Sequence, residues 1–383
     1  MPLATSYAFV NNRGGIGKST LLFQLVSEYA RQHPDVSVAV FDFSIQADAS
    51  VSFLGGTQEP AEAGDVKART LGAQRMAALR PEKTGPGIVS AIMEREAKGG
   101  GGGGGILGAM ANLALGGGGG GSALDLRSLF VQAYENGEGP ANIFLASGGV
   151  KLHEVLTLQN AERVAGLIVD ALAALDGRWV AFFDTDAEVT ERPATLAAVI
   201  AAERIILPLS ANWSDYNRVV DGDPINSLFP VLKHRLTNGL RCAKVDHIVF
   251  NSVKQKDSTP CSLHERSNRN ATLPFSPVKN VRVQMSQMAD HMYQQGWDDM
   301  EHNYRVIYMD EQSIADEDAF AARYVQSLYS MPDNIVHIST LTGTPACSMD
   351  AKTKYLDGEV KVDAKALDTL QNAMENTVKA WAA

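Results

Sequence analysis

One ten-residue segment near the start of the chain constrains the fold more than any other part of it. Residues 11–20 read Asn-Asn-Arg-Gly-Gly-Ile-Gly-Lys-Ser-Thr. The apolar run at residues 7–10 precedes this segment and predicts a buried strand. Apolar residues at helical spacing follow it over residues 21–29. The segment is therefore predicted to link a strand to the N-terminus of a helix through a glycine-rich turn.

A glycine-rich turn at a helix N-terminus is suited to bind phosphate, because its backbone N–H groups and the helix dipole both favour an anion. In such a loop Lys18 would reach the terminal phosphates and the Ser19 hydroxyl would bind Mg²⁺. The general pattern places a glycine five residues before Gly17, where this chain has Asn12. The chain fits a variant in which a basic residue, Arg13, precedes Gly-Gly-x-Gly-Lys-Ser-Thr. We predict nucleotide binding here; a glycine turn without a ligand is the alternative.

Composition excludes several classes of protein. The chain has 383 residues, 45% hydrophobic and 20% charged, which is typical of a globular protein with one large or two ordinary domains. Its formal net charge of −10 argues against a surface coated for nucleic acid. Three widely separated cysteines form neither a disulfide framework nor a zinc pattern. Since no signal-peptide pattern and no apolar window of about 18 residues is present, we expect a cytoplasmic protein.

Strand-like and helix-like patterns alternate along much of the chain. Strands are predicted at residues 36–43, 179–183, 204–209, 247–250, 305–309 and 335–338. Helices are predicted at residues 156–175, 193–202 and 365–381. Such repeats connect parallel strands through right-handed crossovers. We therefore expect a doubly wound α/β fold, a mostly parallel sheet flanked by helices, with ligands at the carboxyl ends of the strands.

Two segments interrupt the alternation and are predicted to be insertions into a single domain spanning residues 1–383. The first, residues 57–140, includes a glycine-rich loop at 99–121, in which seven and six consecutive glycines flank an apolar decapeptide. Glycine runs resist regular structure because ordering them costs the most backbone entropy. We expect an unstructured surface loop there; a hook for a partner or membrane, or an engineered insertion, are alternatives. The second insertion covers residues 254–330 and is expected to be irregular over its polar part, 254–284.

Charge is unevenly distributed in the second half of the chain. Residues 231–285 contain ten lysines and arginines against three acids, whereas residues 286–322 contain nine acids against one arginine. A solvated face is the usual explanation of such runs. The basic stretch at 231–285 is nevertheless where the sequence predicts a contact with the DNA backbone.

Several motifs together resemble the ParA/MinD family of deviant Walker A P-loop ATPases, and ParA-type partition ATPases most of all. The loop that contains Arg13 resembles the deviant Walker A motif, in which that position is a signature lysine. Residues 41–50 resemble the second ParA motif, residues 182–186 resemble the Walker B strand, and Asn251 stands where the family carries an adenine-reading asparagine. The resemblance covers residues 1–55, 140–255 and the C-terminus.

The resemblance implies a P-loop NTPase fold that binds ATP or ADP with Mg²⁺. The implied nucleotide-binding residues are Gly14, Gly15, Ile16, Gly17, Lys18, Ser19, Thr20 and Asn251. The implied Mg²⁺ site consists of Ser19 and, through water, Asp184. The implied catalytic residues are Lys18, Asp42, Asp184 and Arg13. By the same resemblance, Arg13 would cross a homodimer interface to the partner's phosphates, for which its planar guanidinium is suited.

The chain departs from the family in its second motif. The aspartate that orients the attacking water in the family is Ser44 here, and the next family residue, a proline, is Ile45. Serine carries no charge and is a poor base, so slow hydrolysis is expected. Asp186 or Asp48 could substitute, although neither stands in the family position.

The sequence thus favours an ATP-dependent dimerisation switch with slow hydrolysis that positions plasmid or chromosomal DNA, or another cargo. Its expected partners are a second copy of the chain, a small adaptor protein and nonspecific DNA. A nucleotide-bound scaffold in a conjugation, secretion or filament assembly is an alternative. A membrane-associated MinD-like ATPase is a second alternative, although the C-terminal helix has few nearby lysines and is expected to pack onto the core. A ligase of the same fold is a minor alternative, because no substrate motif is present.

Overall fold

The computed structural model describes residues 3–57, 71–99, 126–134, 139–186, 189–220, 227–264, 272–299, 302–356 and 360–381. Its strands, in chain order, are β1 (Leu3–Phe9), β2 (Ser37–Phe43), β3 (Val131–Gln132), β4 (Ile143–Ala146), β5 (Trp179–Thr185), β6 (Arg204–Leu209), β7 (Lys244–Val253), β8 (Gln255–Asp257), β9 (Cys261–Ser262), β10 (Thr272–Leu273), β11 (Ser276–Pro277), β12 (Val325–Tyr329), β13 (Lys354–Tyr355) and β14 (Val360–Lys361).

The α-helices are α1 (Lys18–Gln32), α2 (Asp48–Phe53), α3 (Leu71–Ala78), α4 (Gly85–Gly99), α5 (Leu126–Leu129), α6 (Leu152–Val155), α7 (Ala161–Ala173), α8 (Pro193–Ala201), α9 (Trp213–Val219), α10 (Leu228–Thr237), α11 (Lys279–Tyr293), α12 (Glu317–Tyr324), α13 (Asp333–Thr342) and α14 (Ala364–Lys379). Short 3₁₀ turns occur at Pro81–Lys83, Tyr304–Ile307, Glu311–Ser313 and Ala346–Ser348, and a π-helical turn at Gln294–Asp298 follows α11.

A mostly parallel sheet forms the centre of the molecule, as predicted. Within the described residues it has eight strands in the order β12-β7-β6-β1-β5-β2-β4-β3. All neighbouring strands pair in parallel except β3 and β4. The central strands are buried over nearly their whole length because helices cover the sheet, and this explains why they read as continuous apolar runs. The carboxyl ends of β1, β2, β5, β6, β7 and β12 therefore share one edge.

The C-terminal helix packs onto this core, as the sequence predicted. The apolar face of α14 is buried, and the Trp381 ring that follows it is 4% exposed. Its ring centroid lies 5.6 Å from that of Tyr7 and 5.9 Å from that of Phe182. Among the described residues, no helix combines the length and the apolar character needed to cross a bilayer.

Two predicted strands are wrong. Residues 335–338 lie inside α13, where Ile335 and Ile338 are both buried and stand three residues apart, as on one face of a helix. A four-residue apolar run is compatible with both the helical and the strand period, and for this reason the pattern wrongly predicted a strand. Residues 305–309 fall mostly in the 3₁₀ turn Tyr304–Ile307, with a single bridge from Tyr308 to Val245 of β7. The edge strand β12 was missed, because its five residues mix polar and apolar side chains without a clear alternation.

The two predicted insertions are described to different extents. Residues 100–125 lie outside the described residues, so the expectation for the glycine-rich loop stays a prediction. The polar stretch 254–284 is more regular than expected. It contains two short antiparallel ribbons, β8 with β11 and β9 with β10, and the first turns of α11.

Candidate nucleotide-binding site

The glycine-rich turn links β1 to α1 at the carboxyl edge of the sheet. Gly15 and Gly17 have φ angles of +78° and +81°, in the left-handed region that glycine adopts without strain. Gly17 directly precedes the first residue of α1, and a Cβ added to it would lie 2.9 Å from Nδ2 of Asn251. The left-handed backbone therefore favours glycine here, and a Cβ would also displace the amide of Asn251.

Lys18 occupies the centre of the loop. Its side chain is 7% exposed, and its Nζ donates a hydrogen bond of 2.8 Å to the backbone oxygen of Arg13. Burial lowers the pKa of Lys18, whereas the carboxylates of Asp184 and Asp186 act in the opposite direction. The ammonium group thus contacts the loop backbone and interacts electrostatically with Asp184 at the end of β5 and Asp186 just beyond it. This is a suitable position for a cation that contacts an anionic ligand.

Asp184 stands at the end of β5, in register with Phe9 of β1 and Asp42 of β2. It is fully buried, and among the described residues neither of its carboxylate oxygens has a well-formed hydrogen bond. Burial and the adjacent Asp42 raise its pKa well above the usual range, against the effects of the Ser19 hydroxyl and of Lys18. A buried carboxylate with unused lone pairs beside a serine hydroxyl fits a hydrated divalent cation.

Asp42, at the end of β2, has a different environment. Its Oδ1 accepts from the backbone N–H and the hydroxyl of Ser44, at 3.0 and 2.6 Å. Its Oδ2 accepts from the backbone N–H and the hydroxyl of Ser50, at 2.9 and 2.6 Å. Burial raises the pKa of Asp42, and these four hydrogen bonds oppose the shift. Asp42 therefore fixes the loop between β2 and α2, and both of its oxygens are occupied in doing so.

Asp186 lies one residue beyond β5 and reaches the same loop. The backbone N–H of Ile45 donates to both of its carboxylate oxygens, at 3.2 and 3.3 Å. Asp48, the other acid considered from the sequence, begins α2 and is exposed to solvent. The structure thus brings Asp186, and not Asp48, against the segment that carries Ser44.

Arg13 is paired within its own chain. Its guanidinium forms an ion pair with Asp215 of α9, and its side chain is 41% exposed while that of Asp215 is 2% exposed. The other oxygen of Asp215 accepts from the Ser210 hydroxyl just after β6. The predicted contact of Arg13 with a second chain stays a prediction. Sequence reasoning missed Asp215, since nothing in the local pattern distinguishes it from other helix-starting acids.

A cavity of 520 Å³ adjoins the glycine-rich loop on the side away from Asp184. It is lined by residues of the loop and α1, of the ends of β6, β7 and β12, and of α13 and α14, among them Gly15, Ile16, Gly17, Thr20, Asn212, Asn251, Ser252, Tyr329, Ser330, Met331, Val336, Leu370 and Met374. Such a volume lies in the range of small-molecule pockets. Sequence reasoning missed the contributions of β12 and α14 because these segments are far from the loop in the chain.

Asn251 connects this cavity to the loop. Its Nδ2 donates to the backbone oxygen of Ile16 at 3.0 Å, and its Oδ1 accepts from the backbone N–H of Ser252 at 2.9 Å. The residues predicted to bind nucleotide therefore meet at one edge of the sheet: Gly14, Gly15, Ile16, Gly17, Lys18, Ser19, Thr20 and Asn251.

Several basic side chains of the stretch 231–285 are engaged in intramolecular contacts. Arg235 forms an ion pair with Glu162, Arg241 donates to the Ile200 carbonyl, and Arg282 donates to the Leu263 carbonyl. Lys233 likewise donates to the His302 carbonyl. Three lysines in and beside the β8–β11 ribbon are exposed instead: Lys254, Lys256 and Lys279.

No protein-family model and no curated protein matches this chain. Among solved structures, a variant of McdA from Cyanothece in complex with ATP is similar over 99% of this chain and 97% of that chain, with 11% identity and a TM-score of 0.51. A ParA family ATPase from Chlorobium tepidum is also similar over 98% of each chain, with 11% identity and a TM-score of 0.47. The cell division ATPase MinD from Pyrococcus furiosus is similar over 98% of this chain and 99% of that chain, with 13% identity and a TM-score of 0.46. At such identity the likeness to McdA shows the fold alone, and this chain shares that fold.

Proposed function

We propose that this protein is a cytoplasmic ATP-dependent dimerisation switch that hydrolyses ATP slowly and positions or segregates DNA or another cargo. One observation carries the proposal. A glycine-rich loop carries a buried lysine, Lys18, that interacts with the buried carboxylate of Asp184, and the neighbouring loop residues Gly15, Ile16 and Gly17 line a cavity of 520 Å³. A phosphate chain with a metal ion would bind at Lys18 and Asp184, and a base would fill the cavity.

ATP would bind along the glycine-rich loop. Lys18 would exchange its bond with the Arg13 carbonyl for the terminal phosphates, while the backbone N–H groups of residues 14–19 surround them. Ser19 and, through water, Asp184 would hold Mg²⁺, which neutralises phosphate charge when bound. Asn251 would lie beside the base, at the mouth of the cavity.

Arg13 would link ATP binding to dimerisation. Its side chain is 41% exposed beside the nucleotide cavity and is held by Asp215. Exchange of this ion pair for the partner's phosphates would couple ATP binding to assembly, since a guanidinium binds phosphate at least as well as it binds a carboxylate.

Sedimentation velocity with Mg²⁺ and a non-hydrolysable ATP analogue tests this coupling. Arg13→Ala should leave nucleotide affinity within about threefold of the wild type and abolish the shift from monomer to dimer. Arg178→Ala is the matched control, because Arg178 is also about half exposed and also pairs with a carboxylate, that of Asp35, at the opposite edge of the sheet. Full dimerisation of the Arg13 variant would refute the cross-interface role, and absence of nucleotide binding by the wild type would refute the proposed function.

Nonspecific DNA would bind to Lys254, Lys256 and Lys279, because these lysines of the basic stretch are exposed on the β8–β11 ribbon and at the start of α11. Replacing all three with alanine should weaken binding of duplex DNA and flatten its salt dependence in a mobility-shift assay with ATP present. The matched control is Lys352→Ala, which removes an exposed lysine on another surface. Equal binding by the triple variant would exclude this surface.

The nucleotide-bound scaffold is the second candidate function. The environment of Ser44 favours this function, because its side chain is 4% exposed and its hydroxyl donates a hydrogen bond to Asp42. If no other group orients water, ATP would stay bound and the assembly would persist. Measurement of phosphate release during a single turnover separates the scaffold from the switch.

A further inference from the structure

Ser44 cannot take over the role of the missing aspartate. Its hydroxyl donates to Oδ1 of Asp42 at 2.6 Å and accepts from the backbone N–H of Ala47 at 3.0 Å. The side chain is also buried. Both its donor and an acceptor position are therefore used inside the protein, and an attacking water would need an acceptor from elsewhere.

The other acids at this edge of the sheet are either engaged in contacts within the protein or, like Asp48, exposed to solvent. Asp42 accepts four hydrogen bonds from Ser44 and Ser50. Asp215 is paired with Arg13, and the buried Asp184 faces Ser19 on the metal side. Asp48 is exposed on the first turn of α2. Among the described acids of the edge, Asp186 is the one that is near Lys18, partly exposed and held by a single backbone N–H.

The register of the sheet explains why Asp186 contacts the loop that carries Ser44. Asp42 pairs with Asp184, and Phe43 pairs with Thr185. Ser44 and Asp186 are therefore the first residues after two adjacent parallel strands. The bond from the Ile45 N–H draws the Asp186 carboxylate over the loop, directly after Ser44.

We propose that Asp186 positions the attacking water, so that the carboxylate absent from the loop after β2 is supplied from the end of β5. This inference rests on the proposed ATPase function and names the residue that makes turnover possible. The Ile45 N–H occupies one lone pair on each oxygen at 3.2 and 3.3 Å, and the remaining lone pairs are available to accept from water.

The reaction balances without a further reagent. The oxygen of the held water forms a bond to the γ-phosphorus, and the bond from that phosphorus to the bridging oxygen breaks with its electron pair remaining on ADP. One proton of the water leaves with inorganic phosphate as HPO₄²⁻, and the other is released to solvent. Asp186 contributes position and negative charge, and Lys18 stabilises the charge that develops on the phosphoryl oxygens.

Single-turnover phosphate release by the full chain with Mg²⁺-ATP tests the inference. Asp186→Asn keeps an acceptor for the Ile45 N–H and removes the charge, so it should slow release by about 10²-fold or more. ATP affinity, measured with a non-hydrolysable analogue, and the thermal midpoint should stay near the wild type. Asp186→Glu should recover part of the rate. Asp48→Asn, the matched control, should change the rate less than twofold.

The possible outcomes separate the inference from the proposed function. If the wild type hydrolyses ATP and Asp186→Asn does so equally fast, the inference is wrong while the proposed function stands. If the wild type binds ATP and releases no phosphate, the inference and the hydrolysing switch both fail, and the nucleotide-bound scaffold is the function that remains. If Asp186→Asn lowers affinity and rate together, and Asp186→Glu restores neither, Asp186 is a structural residue and the inference fails. Absence of ATP binding by the wild type would overturn both.

Discussion

The two halves of the carboxyl edge of the sheet have opposite chemistry. Three aspartates stand at or just beyond the ends of β2 and β5: Asp42 and Asp184 are in register on adjacent strands, and Asp184 and Asp186 both act on the ammonium group of Lys18. At the ends of β7 and β12, the side chains around the cavity are mainly amides, hydroxyls and apolar groups. The first half concentrates acids around one lysine, whereas the charged side chains that line the cavity, Arg13 and Asp215, are paired with each other.

The difference follows from what each half would hold. Phosphates and a metal ion demand fixed charges, and burial makes those charges act strongly. A base is neutral and is bound by shape and a few hydrogen bonds. The glycine-rich loop forms the boundary, because Lys18 faces the acids while the carbonyl of Ile16 faces Asn251. One loop therefore serves both halves through adjacent residues.

Removing the lysine should have the largest effect on the charged half. Lys18→Ala deletes the buried cation that faces Asp184 and Asp186, so we expect ATP affinity to fall by about one to two orders of magnitude, as for loss of a hydrogen bond to a charged group of about 1.5–3 kcal/mol. Calorimetry with Mg²⁺ and ATP gives the affinity, and the exposed Lys352→Ala is the control. Unchanged affinity would mean that the charged half does not bind phosphate.

A smaller and more selective effect is expected in the neutral half. Asn251→Ala removes an amide beside the cavity, so discrimination between ATP and GTP should fall by about tenfold, the equivalent of one neutral hydrogen bond. Competition with a fluorescent nucleotide measures both affinities. Ser252→Ala is the control, because Ser252 lines the same cavity and is exposed. An equal loss for both nucleotides would instead assign Asn251 to supporting the loop.

The smallest effect should come from His264, which does not line the cavity. His264 contacts Asp290 at 2.9 Å and Asp318 at 2.6 Å, joining the segment after β9 to α11 and α12. The hydrogen bond to Asp290, supported by Asp318 and opposed by burial, raises the pKa of His264. Its stabilisation is therefore complete below the unfolded pKa of about 6.5 and is lost as pH rises through the higher folded pKa.

Urea unfolding of the wild type and His264→Gln measures this contribution. The wild type should exceed the variant by at most about 1 kcal/mol at pH 5.5, because both carboxylates are partly exposed, and the difference should vanish at alkaline pH. ATP affinity should be the same in both proteins. An affinity change in the variant would show that this contact also shapes the cavity.

The sequence by itself determined the parts of this protein that depend on neighbouring residues. The strand, the glycine-rich turn and the helix around Lys18 are local, because glycine φ angles and apolar spacing act over a few residues. A buried apolar run that ends in an acid likewise predicts a carboxylate at the sheet edge, as at Asp184. The order of these motifs was sufficient to predict the fold.

Tertiary structure decided which distant residues meet at that edge. The Asp186 carboxylate and the Ile45 N–H are 141 residues apart in the chain, and the register of β2 against β5 brings them together. The pairing of Arg13 with Asp215, and the closure of the cavity by β12, depend in the same way on which strands are neighbours. Strand order and register are set by the packing of the whole core, so the local sequence around each of these residues does not predict its partner.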